Sequence, residues 1–326
     1  MINVGILDST YRPIRVGIIG YGRIGRIRAD VIRSSEKSCV ACIGDAKFDC
    51  DTVDYIMNDP SINAVVIATP TKYHMSLAIE ALKAGKHVLC EKPLGRNLKE
   101  AESIFRAVPA GQVLHLGFNY RHLAHVRKAK EMIESGYIGT PMFFRSRFGN
   151  GGRPDYHKEW CTQKEQGGGV VIEQAIHIFD LVSFLFDEPK YITAITCNLY
   201  HDLDTEDNLF CTIETLNGIA QIHVSWTQWV NLFEVEIFGT KGYIKLLGRD
   251  GSYGQPRLFY GTRNQDHSRP IENEIGFNTE DSWTLDWAEF ESEIEKKVYD
   301  VSPGLKAQRI VDAAYESAEC GSWITI

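Results

Sequence analysis

The segment GGGVVIEQAIHIFD, residues 167–180, carries three ionisable side chains inside an apolar run. In a helix beginning after Gly169, Glu173 and His177 are four residues apart and share a face. Asp180 follows His177 by three residues, so all three groups can be neighbours. An imidazole beside a carboxylate is suited to proton transfer near neutral pH. The spacing predicts either a catalytic helix, in which Glu173 orients His177 and favours its protonated form, or a structural helix with a buried histidine.

A glycine-rich turn, GYGRIG at residues 20–25, follows the strand pattern RVGIIG and leads into a helical pattern. The GxGxxG spacing in this context indicates a dinucleotide site. Its first glycine permits the turn, its second lets the backbone approach a pyrophosphate, and its third lets helix and strand pack closely. The residues predicted to bind the cofactor here are Gly20, Gly22, Arg23, Ile24 and Gly25.

A carboxylate, Asp45, follows Gly25 by about 20 residues, just beyond the second predicted strand. A carboxylate at this place accepts hydrogen bonds from the adenosine ribose 2′-hydroxyl and repels a 2′-phosphate, which favours NAD over NADP. Lys47 or Arg23 would offset that repulsion, so NADP stays an alternative.

The motif EKPLG, residues 91–95, lies at the carboxyl end of the fourth predicted strand. Open parallel sheets present their ligand-binding groups at this edge. Burial beside a positively charged nicotinamide ring favours the neutral form of a lysine, which suits it for proton transfer. We therefore predict that Lys92 is catalytic, and its bond to Pro93 is a candidate for the cis form.

Short β-branched runs alternate with helical patterns over the first 120 residues. The helical pattern TKYHMSLAIEALKAG stops at Gly85, and NLKEAESIFRAV opens with Asn97 as its N-cap. This alternation predicts an α/β fold with a parallel, doubly wound sheet. Its predicted strands are RVGIIG, SCVACIG, AVVIATP, HVLC and QVLHLG.

The second half of the chain has the alternating pattern of a sheet with one covered face. In IAQIHVSWT, Ala220, Ile222 and Val224 would face a core, while His223 would lie at a surface or an interface. The semi-polar face is therefore predicted to meet a partner subunit. The predicted strands span residues 141–149, 190–200, 207–215, 219–227 and 232–239.

The motifs GYGRIG, IATPTKYH, CEKP and GGGVVIEQAIHIFD, in this order, resemble the glucose-fructose oxidoreductase / inositol dehydrogenase (Gfo/Idh/MocA) family. The resemblance implies an N-terminal doubly wound Rossmann domain, residues 1–121, and a C-terminal α+β domain with an open mixed sheet, residues 122–326. It also implies NAD(P)-dependent hydride transfer at a carbinol carbon of a sugar or cyclitol. Homodimers or homotetramers assembled through the C-terminal sheet would be expected.

The resemblance further assigns roles to single residues. Lys92 and His177 match the catalytic pair of the family. Glu173 stands where the family usually has an aspartate; it keeps the charge but is one methylene longer, which leaves its partner open. The residues that would line the dinucleotide are Thr69, Pro70, His74 and Glu91, the last near the nicotinamide ribose.

Substrate contacts are predicted in two segments. Asn119, Tyr120 and Arg121 follow the fifth predicted strand at the junction of the domains. Tyr156 and Trp160 precede the three glycines in a loop, where they would stack on or hydrogen-bond a sugar ring.

Composition excludes several other classes of protein. The net charge is −8 and the 35 basic residues are scattered, so we expect no nucleic-acid partner. The apolar runs are too short or interrupted to span a bilayer and no signal pattern precedes them, which predicts a cytoplasmic protein with no membrane partner. Eight dispersed cysteines agree with that compartment. No further ligands accompany His177 and Asp180 at metal-binding spacing, so no metal is expected.

The sequence thus predicts an NAD(P)-dependent dehydrogenase acting on a free sugar or cyclitol. A nucleotide-linked sugar is the alternative substrate, because Arg145 and Arg147 share a strand face that could meet a diphosphate; both are equally explained as surface or interface residues. A non-catalytic NAD-binding regulator is an alternative of another class, against which the presence of both Lys92 and His177 argues. A reductase of an imine or double bond would not need the histidine helix.

Overall fold

The computed structural model describes residues 13–45, 50–152, 155–264, 266, 268–278 and 281–326. Lys47 and nearly all of the N-terminal extension lie outside the described residues.

The N-terminal half forms a parallel five-stranded sheet with the strand order β2-β1-β3-β4-β5. Its strands are short and mostly buried, as expected for a sheet covered on both faces. The order reverses between β1 and β3, which opens a crevice at the carboxyl ends of the strands. The strands are β1 Ile14–Ile19, β2 Ser38–Gly44, β3 Ala64–Ile67, β4 His87–Cys90 and β5 Leu114–Leu116.

Four helices connect these strands, so the Rossmann-like prediction is confirmed. The Asn97 side chain accepts a hydrogen bond from the Glu100 N–H at 2.9 Å, which makes it the N-cap of α4 as predicted. Gly85, with φ +82°, follows the end of α3. The helices are α1 Arg23–Ser34, α2 Cys50–Asn58, α3 His74–Lys83 and α4 Leu98–Arg106.

The second half forms a nine-stranded sheet with the order β13-β12-β11-β10-β6-β9-β8-β7-β14. Its neighbouring strands are antiparallel except for β6 and β9, so the predicted open mixed sheet is confirmed. The last five strands of the chain include four that the sequence reading missed. The strands are β6 Pro141–Gly149, β7 Pro189–Cys197, β8 Asn208–Thr215, β9 Ile219–Ser225, β10 Leu232–Gly239, β11 Gly242–Leu247, β12 Arg257–Thr262, β13 Asn273–Gly276 and β14 Ile324–Thr325.

Helices cover one face of this sheet and leave the other open. Ala220, Ile222 and Val224 are buried as predicted, and His223 stays half-buried on the opposite face. The helices of this half are α5 Ala124–Glu134, α6 Ile176–Leu185 and α8 Ser302–Cys320. A π-helical turn, Val171–Ala175, leads directly into α6.

Helix α7, Ser282–Lys296, returns to the N-terminal half. Its Trp287 and Phe290 are buried in one cluster with Val16 and Ile18 of β1. Burial of these apolar side chains therefore holds α7 against the first sheet. A single cut between residues 121 and 122 would leave α7 apart from the sheet on which it packs.

The stretch Lys164–Leu185 is long and apolar enough to cross a membrane by length and composition alone. The sequence reading considered only the apolar run IHIFDLVSFLF within it and judged that run too short or interrupted to span a bilayer. In the structure 78% of its most apolar window is buried inside the protein, as in a core helix.

Candidate active site

The glycine loop after β1 has the shape that a dinucleotide needs. Gly20 has φ +94°, and a Cβ built there would lie 2.6 Å from the Ala68 carbonyl oxygen. A Cβ on Gly25 would lie 2.0 Å from the Gly20 carbonyl oxygen, so helix and loop meet in direct contact. A Cβ on Gly22 would meet no atom within 4 Å, and Gly22 caps α1 without a side-chain hydrogen bond. The loop therefore offers open space and backbone donors where a pyrophosphate would bind.

Asp45 lies beside this loop. It follows β2 directly, and the Gly20 N–H donates to the Gly44 carbonyl oxygen at 2.8 Å. Arg23 and Ile24 begin α1 on the other side of the turn. The glycine loop, the start of α1 and Asp45 thus lie around the crevice where the strand order reverses.

The loop after β3 holds Thr69 and Pro70, and His74 is the first residue of α3. The hydroxyl of Thr69 is buried and has no hydrogen-bond partner in the described part of the chain, which suits a polar contact to a ligand. The His74 ring is buried, with one nitrogen 2.7 Å from the Pro93 carbonyl oxygen and the other 2.9 Å from that of Thr69. His74 therefore ties this loop to the EKP motif, a role that the sequence did not indicate.

Lys92 reaches from the end of β4 to the second half of the chain. Its Nζ lies 3.0 Å from Glu173 Oε1 and donates to the Glu173 carbonyl oxygen at 2.7 Å. Both side chains are largely shielded from water, and the Lys92–Pro93 bond is cis as predicted. The glutamate thereby gives the lysine a counter-charge and a second hydrogen-bond acceptor.

The expected convergence of Glu173, His177 and Asp180 is wrong. Glu173 binds Lys92, and Asp180 accepts two hydrogen bonds from Arg121 at 2.7 and 2.5 Å. The prediction assumed a regular α-helix, but Glu173 lies in a π-helical turn, where the residues that share a face differ from those of an α-helix. Arg121, a predicted substrate contact, is held by Asp180 instead.

The imidazole of His177 is buried and stacks on the Tyr120 ring at a centroid distance of 3.9 Å and an interplanar angle of 8°. Its Nδ1 has no hydrogen-bond partner among the described residues. Burial, together with the positive charges of Lys92 and Arg249, lowers the pKa of His177 well below its usual value. The imidazole is therefore neutral near pH 7, and the prediction that Glu173 favours its protonated form is wrong.

The sequence reading missed Arg249, which follows β11. Its guanidinium lies 4.9 Å from the centroid of the Tyr120 ring and 4.3 Å from that of Tyr253. The turn GRDGSYG carries no periodic signal that would link it to the histidine helix. Only the pairing of distant strands brings Arg249 to this place.

The other side chains that were predicted to contact the substrate are packed against other parts of the protein. Asn119 is buried and donates to Ser282 Oγ at 3.2 Å. Tyr156 is buried edge-on against Trp226, with ring centroids 5.1 Å apart. Trp160 packs half-buried against the main hydrophobic core, which includes residues of both halves of the chain. Of the predicted set, Tyr120 is the residue that the structure brings against His177.

Glu91 belongs to a buried charge network rather than to an open ligand surface. Its Oε1 lies 2.7 Å from the Arg28 guanidinium, which also contacts Asp286 of α7 at 2.5 Å. His115 of β5 lies 3.3 Å from Asp286 and 2.8 Å from Glu293. These two carboxylates raise the pKa of His115 to about 10 despite its burial. The sequence did not indicate this network, because α7 lies more than 150 residues after the other elements that contribute to it.

Within the parts of the chain that the structure describes, no three His, Cys, Asp or Glu side chains are grouped to hold a metal ion.

The fold and site together define a two-domain, dinucleotide-dependent oxidoreductase. Residues 14–118 match the family model described as the oxidoreductase family, NAD-binding Rossmann fold, and residues 126–245 match the GFO/IDH/MocA C-terminal domain. The chain belongs to the Gfo/Idh/MocA family and is an NAD-binding oxidoreductase.

Known relatives agree with this assignment. The uncharacterized oxidoreductase YrbE of Bacillus subtilis is 31% identical over 71% of this chain and 73% of that protein. The inositol 2-dehydrogenase of Rhizobium meliloti is 27% identical over 93% of this chain and 96% of its own. A levoglucosan dehydrogenase in complex with NADH and levoglucosan has the same fold, with a TM-score of 0.85 at 22% identity over 97% of this chain and 99% of that one.

Proposed function

We propose that the protein oxidises a secondary alcohol of a free sugar or cyclitol and transfers the hydride to NAD. The observation that carries this proposal is the buried His177 imidazole beside Lys92, at the edge where β4 meets the glycine-loop crevice; burial and the charge of Lys92 lower the pKa of His177. A neutral imidazole accepts a proton, and an ammonium stabilises negative charge on oxygen.

The glycine loop would hold NAD, which when bound would supply a nicotinamide ring able to accept hydride from the carbinol carbon. His177 takes the hydroxyl proton, so the carbinol becomes a carbonyl and two electrons leave with the hydride. Lys92 donates a hydrogen bond to the substrate oxygen as negative charge develops on it. Glu173 holds the Lys92 ammonium in place through its carboxylate and its carbonyl oxygen.

NAD is the proposed physiological cofactor, because Asp45 lies beside the glycine loop. A 2′-phosphate placed there would meet a negative charge. Replacing Asp45 with serine is expected to reduce the preference for NAD over NADP about tenfold, measured as the ratio of the two kcat/KM values. An unchanged ratio would contradict this role.

A free sugar or cyclitol fits better than a nucleotide-linked sugar. Arg145 and Arg147 pair with Glu236 and Glu234 of the neighbouring strand β10. They lie on the open face of the sheet, away from the helices that carry His177, so they offer no diphosphate site beside it. Relatives named for inositol and levoglucosan support the same substrate class.

The open face of the second sheet is the proposed surface for homo-oligomers. It leaves Ile195 and Phe210 exposed, and Phe210 stacks on His223 with ring centroids 4.1 Å apart. Burial of such a face against a second copy would remove apolar surface from water. Phe210→Glu is expected to reduce the mass measured by analytical ultracentrifugation, and an unchanged mass would contradict this interface.

The function is tested by absorbance at the reduced-nicotinamide band. Purified protein, NAD or NADP, and a panel of inositols, aldoses, anhydrosugars and nucleotide-sugars would be combined. A rise with one class of free polyol supports the proposal and names the substrate class. A rise with nucleotide-sugars alone would move the substrate to the second candidate. Tight NAD binding by calorimetry without turnover on any member would favour a binding-only regulator.

A further inference from the structure

A three-layer stack connects the turn after β11 to the catalytic histidine. His177 covers one face of the Tyr120 ring at 3.9 Å. Because that face is filled, the Arg249 guanidinium, 4.9 Å from the ring centroid, takes the other face. Tyr253 supports the guanidinium through a second ring contact at 4.3 Å. Neither Arg249 nor Tyr253 belongs to the motifs shared with the family.

The backbone also fixes this arginine. The Arg249 N–H donates to the Gly254 carbonyl oxygen at 3.2 Å, and the Gly248 N–H donates to that of Phe233 at 3.0 Å. Gly248 has φ +75°, a conformation that glycine adopts without strain. The turn therefore presents the side chain to the Tyr120 ring in a defined direction.

Charged and titratable groups approach His177 from each element packed around it. Lys92 follows β4, Tyr120 follows β5, and Arg249 follows β11. On the histidine's own helical segment, Glu173 is engaged by Lys92 and Asp180 by Arg121. The two charges that act on the imidazole are both positive, and each disfavours a third positive charge there.

We propose that Arg249 is a positioning residue, which acts through Tyr120 to hold His177 in place and to keep it in its proton-accepting form. This inference rests on the proposed function, in which His177 accepts the hydroxyl proton. Arg249 touches the stack rather than the reacting atoms. A cation over a phenol ring stabilises the ring's position, and its charge opposes protonation of the imidazole on the far side.

The test is titration of the histidine Cε1–H resonances by NMR, with NAD present, in the wild type and in three variants. Arg249→Gln and Arg249→Met remove the charge, and the methionine keeps an apolar stem between the two rings. Each is expected to bind a proton at His177 roughly threefold more tightly or more, an upward shift of about half a pH unit. Arg249→Lys keeps the charge and is expected to titrate close to the wild type. Arg106→Gln, on the exposed surface of α4, is the matched control.

The acid limb of kcat/KM gives the second readout. It should move to higher pH in Arg249→Gln and Arg249→Met, and stay in place in Arg249→Lys and Arg106→Gln. Unshifted titration of His177 in a folded charge-removing variant overturns the inference. So does an equal shift in Arg249→Lys.

His177→Gln separates this inference from the proposed function and also assigns the resonance. Retained activity in His177→Gln would sink the proposed function. Lost activity there, with an unshifted His177 titration in Arg249→Met, would sink the role of Arg249 alone.

Discussion

Two buried histidines of this protein have opposite surroundings. Both ring nitrogens of His115 face carboxylates, and its pKa is raised to about 10. His177 stacks on a phenol ring, has an unpartnered Nδ1 within the described structure, and has its pKa lowered well below the usual value. Burial lowers the pKa of both imidazoles; the carboxylates reverse that effect at His115, whereas Lys92 and Arg249 add to it at His177. The carboxylates favour the charged form of His115, which links β5 to α7, whereas burial and the two cations favour the neutral form of His177, which can accept a proton.

A similar contrast between a structural and a catalytic role occurs at the adjacent residues Glu91 and Lys92. Glu91 turns to Arg28 and, through it, to Asp286 of α7, while Lys92 turns to Glu173 and the second half of the chain. Glu91 thus anchors the EKP motif to the buried charge network, while Lys92 points toward the proposed catalytic site. This contrast predicts which substitutions damage catalysis and which damage stability.

Removal of the Lys92 ammonium is expected to have the largest effect. Lys92→Met should lower kcat roughly 10³-fold, because the charge on the substrate oxygen would lose its stabilising donor. The dissociation constant for NAD should change by less than about threefold, since the glycine loop is untouched. Steady-state kinetics and calorimetry check both values, with the exposed Lys128→Met as control. A parallel loss of NAD affinity would contradict the assignment.

Glu173→Gln is expected to have a smaller effect on catalysis. The backbone carbonyl of residue 173 still accepts from Lys92, so the lysine keeps one contact and loses its counter-charge. We expect kcat to fall about 10- to 100-fold. If Glu173 instead paired with His177, its loss would lower the pKa of the imidazole further, and the acid limb of the profile would move to lower pH. Glu131→Gln on the surface of α5 is the matched control.

The raised pKa of His115 predicts that the protein loses stability at alkaline pH. The folded-state pKa of His115 is raised to about 10, so its stabilisation is complete below about pH 6.5 and is lost as the pH rises through 10. The free energy of unfolding should therefore fall by on the order of 2–4 kcal/mol between pH 7 and pH 10. Urea unfolding of the wild type and His115→Gln measures this, and the variant should show a much flatter dependence.

The exposed His157→Gln is the control for that slope. It should reproduce the wild-type pH dependence. An equal slope in His115→Gln would mean that other groups cause the alkaline loss.

Local patterns predicted most of the fold. The glycine turn, the buried strands and the Asn97 cap act within a few residues, so their spacing is legible in the sequence. β11 also alternates buried and half-buried residues, and its pattern was available but unused. The open mixed sheet followed from the resemblance and from alternation in segments such as β9.

The site was less predictable, for physical reasons. The π-helical turn at Val171–Ala175 changes which side chains share a face. The hydrophobic pattern of the sequence does not distinguish such a turn from an α-helix. Arg249 and Asp286 reach the first half of the chain only through strand order and the return of α7. Lys92 and His177 were identified as a pair, but the pKa of His177 also depends on Arg249, which is distant in sequence.

The most direct test compares the two histidines in one experiment. His177→Gln and His115→Gln would be assayed together at pH 7 for hydride transfer, by nicotinamide absorbance with the polyol identified from the panel, and for urea stability. The account predicts that His177→Gln loses roughly 10³-fold in kcat and keeps its stability, while His115→Gln stays within about threefold in kcat and is destabilised. Retained turnover in His177→Gln, or equal loss of turnover in both variants, would contradict it.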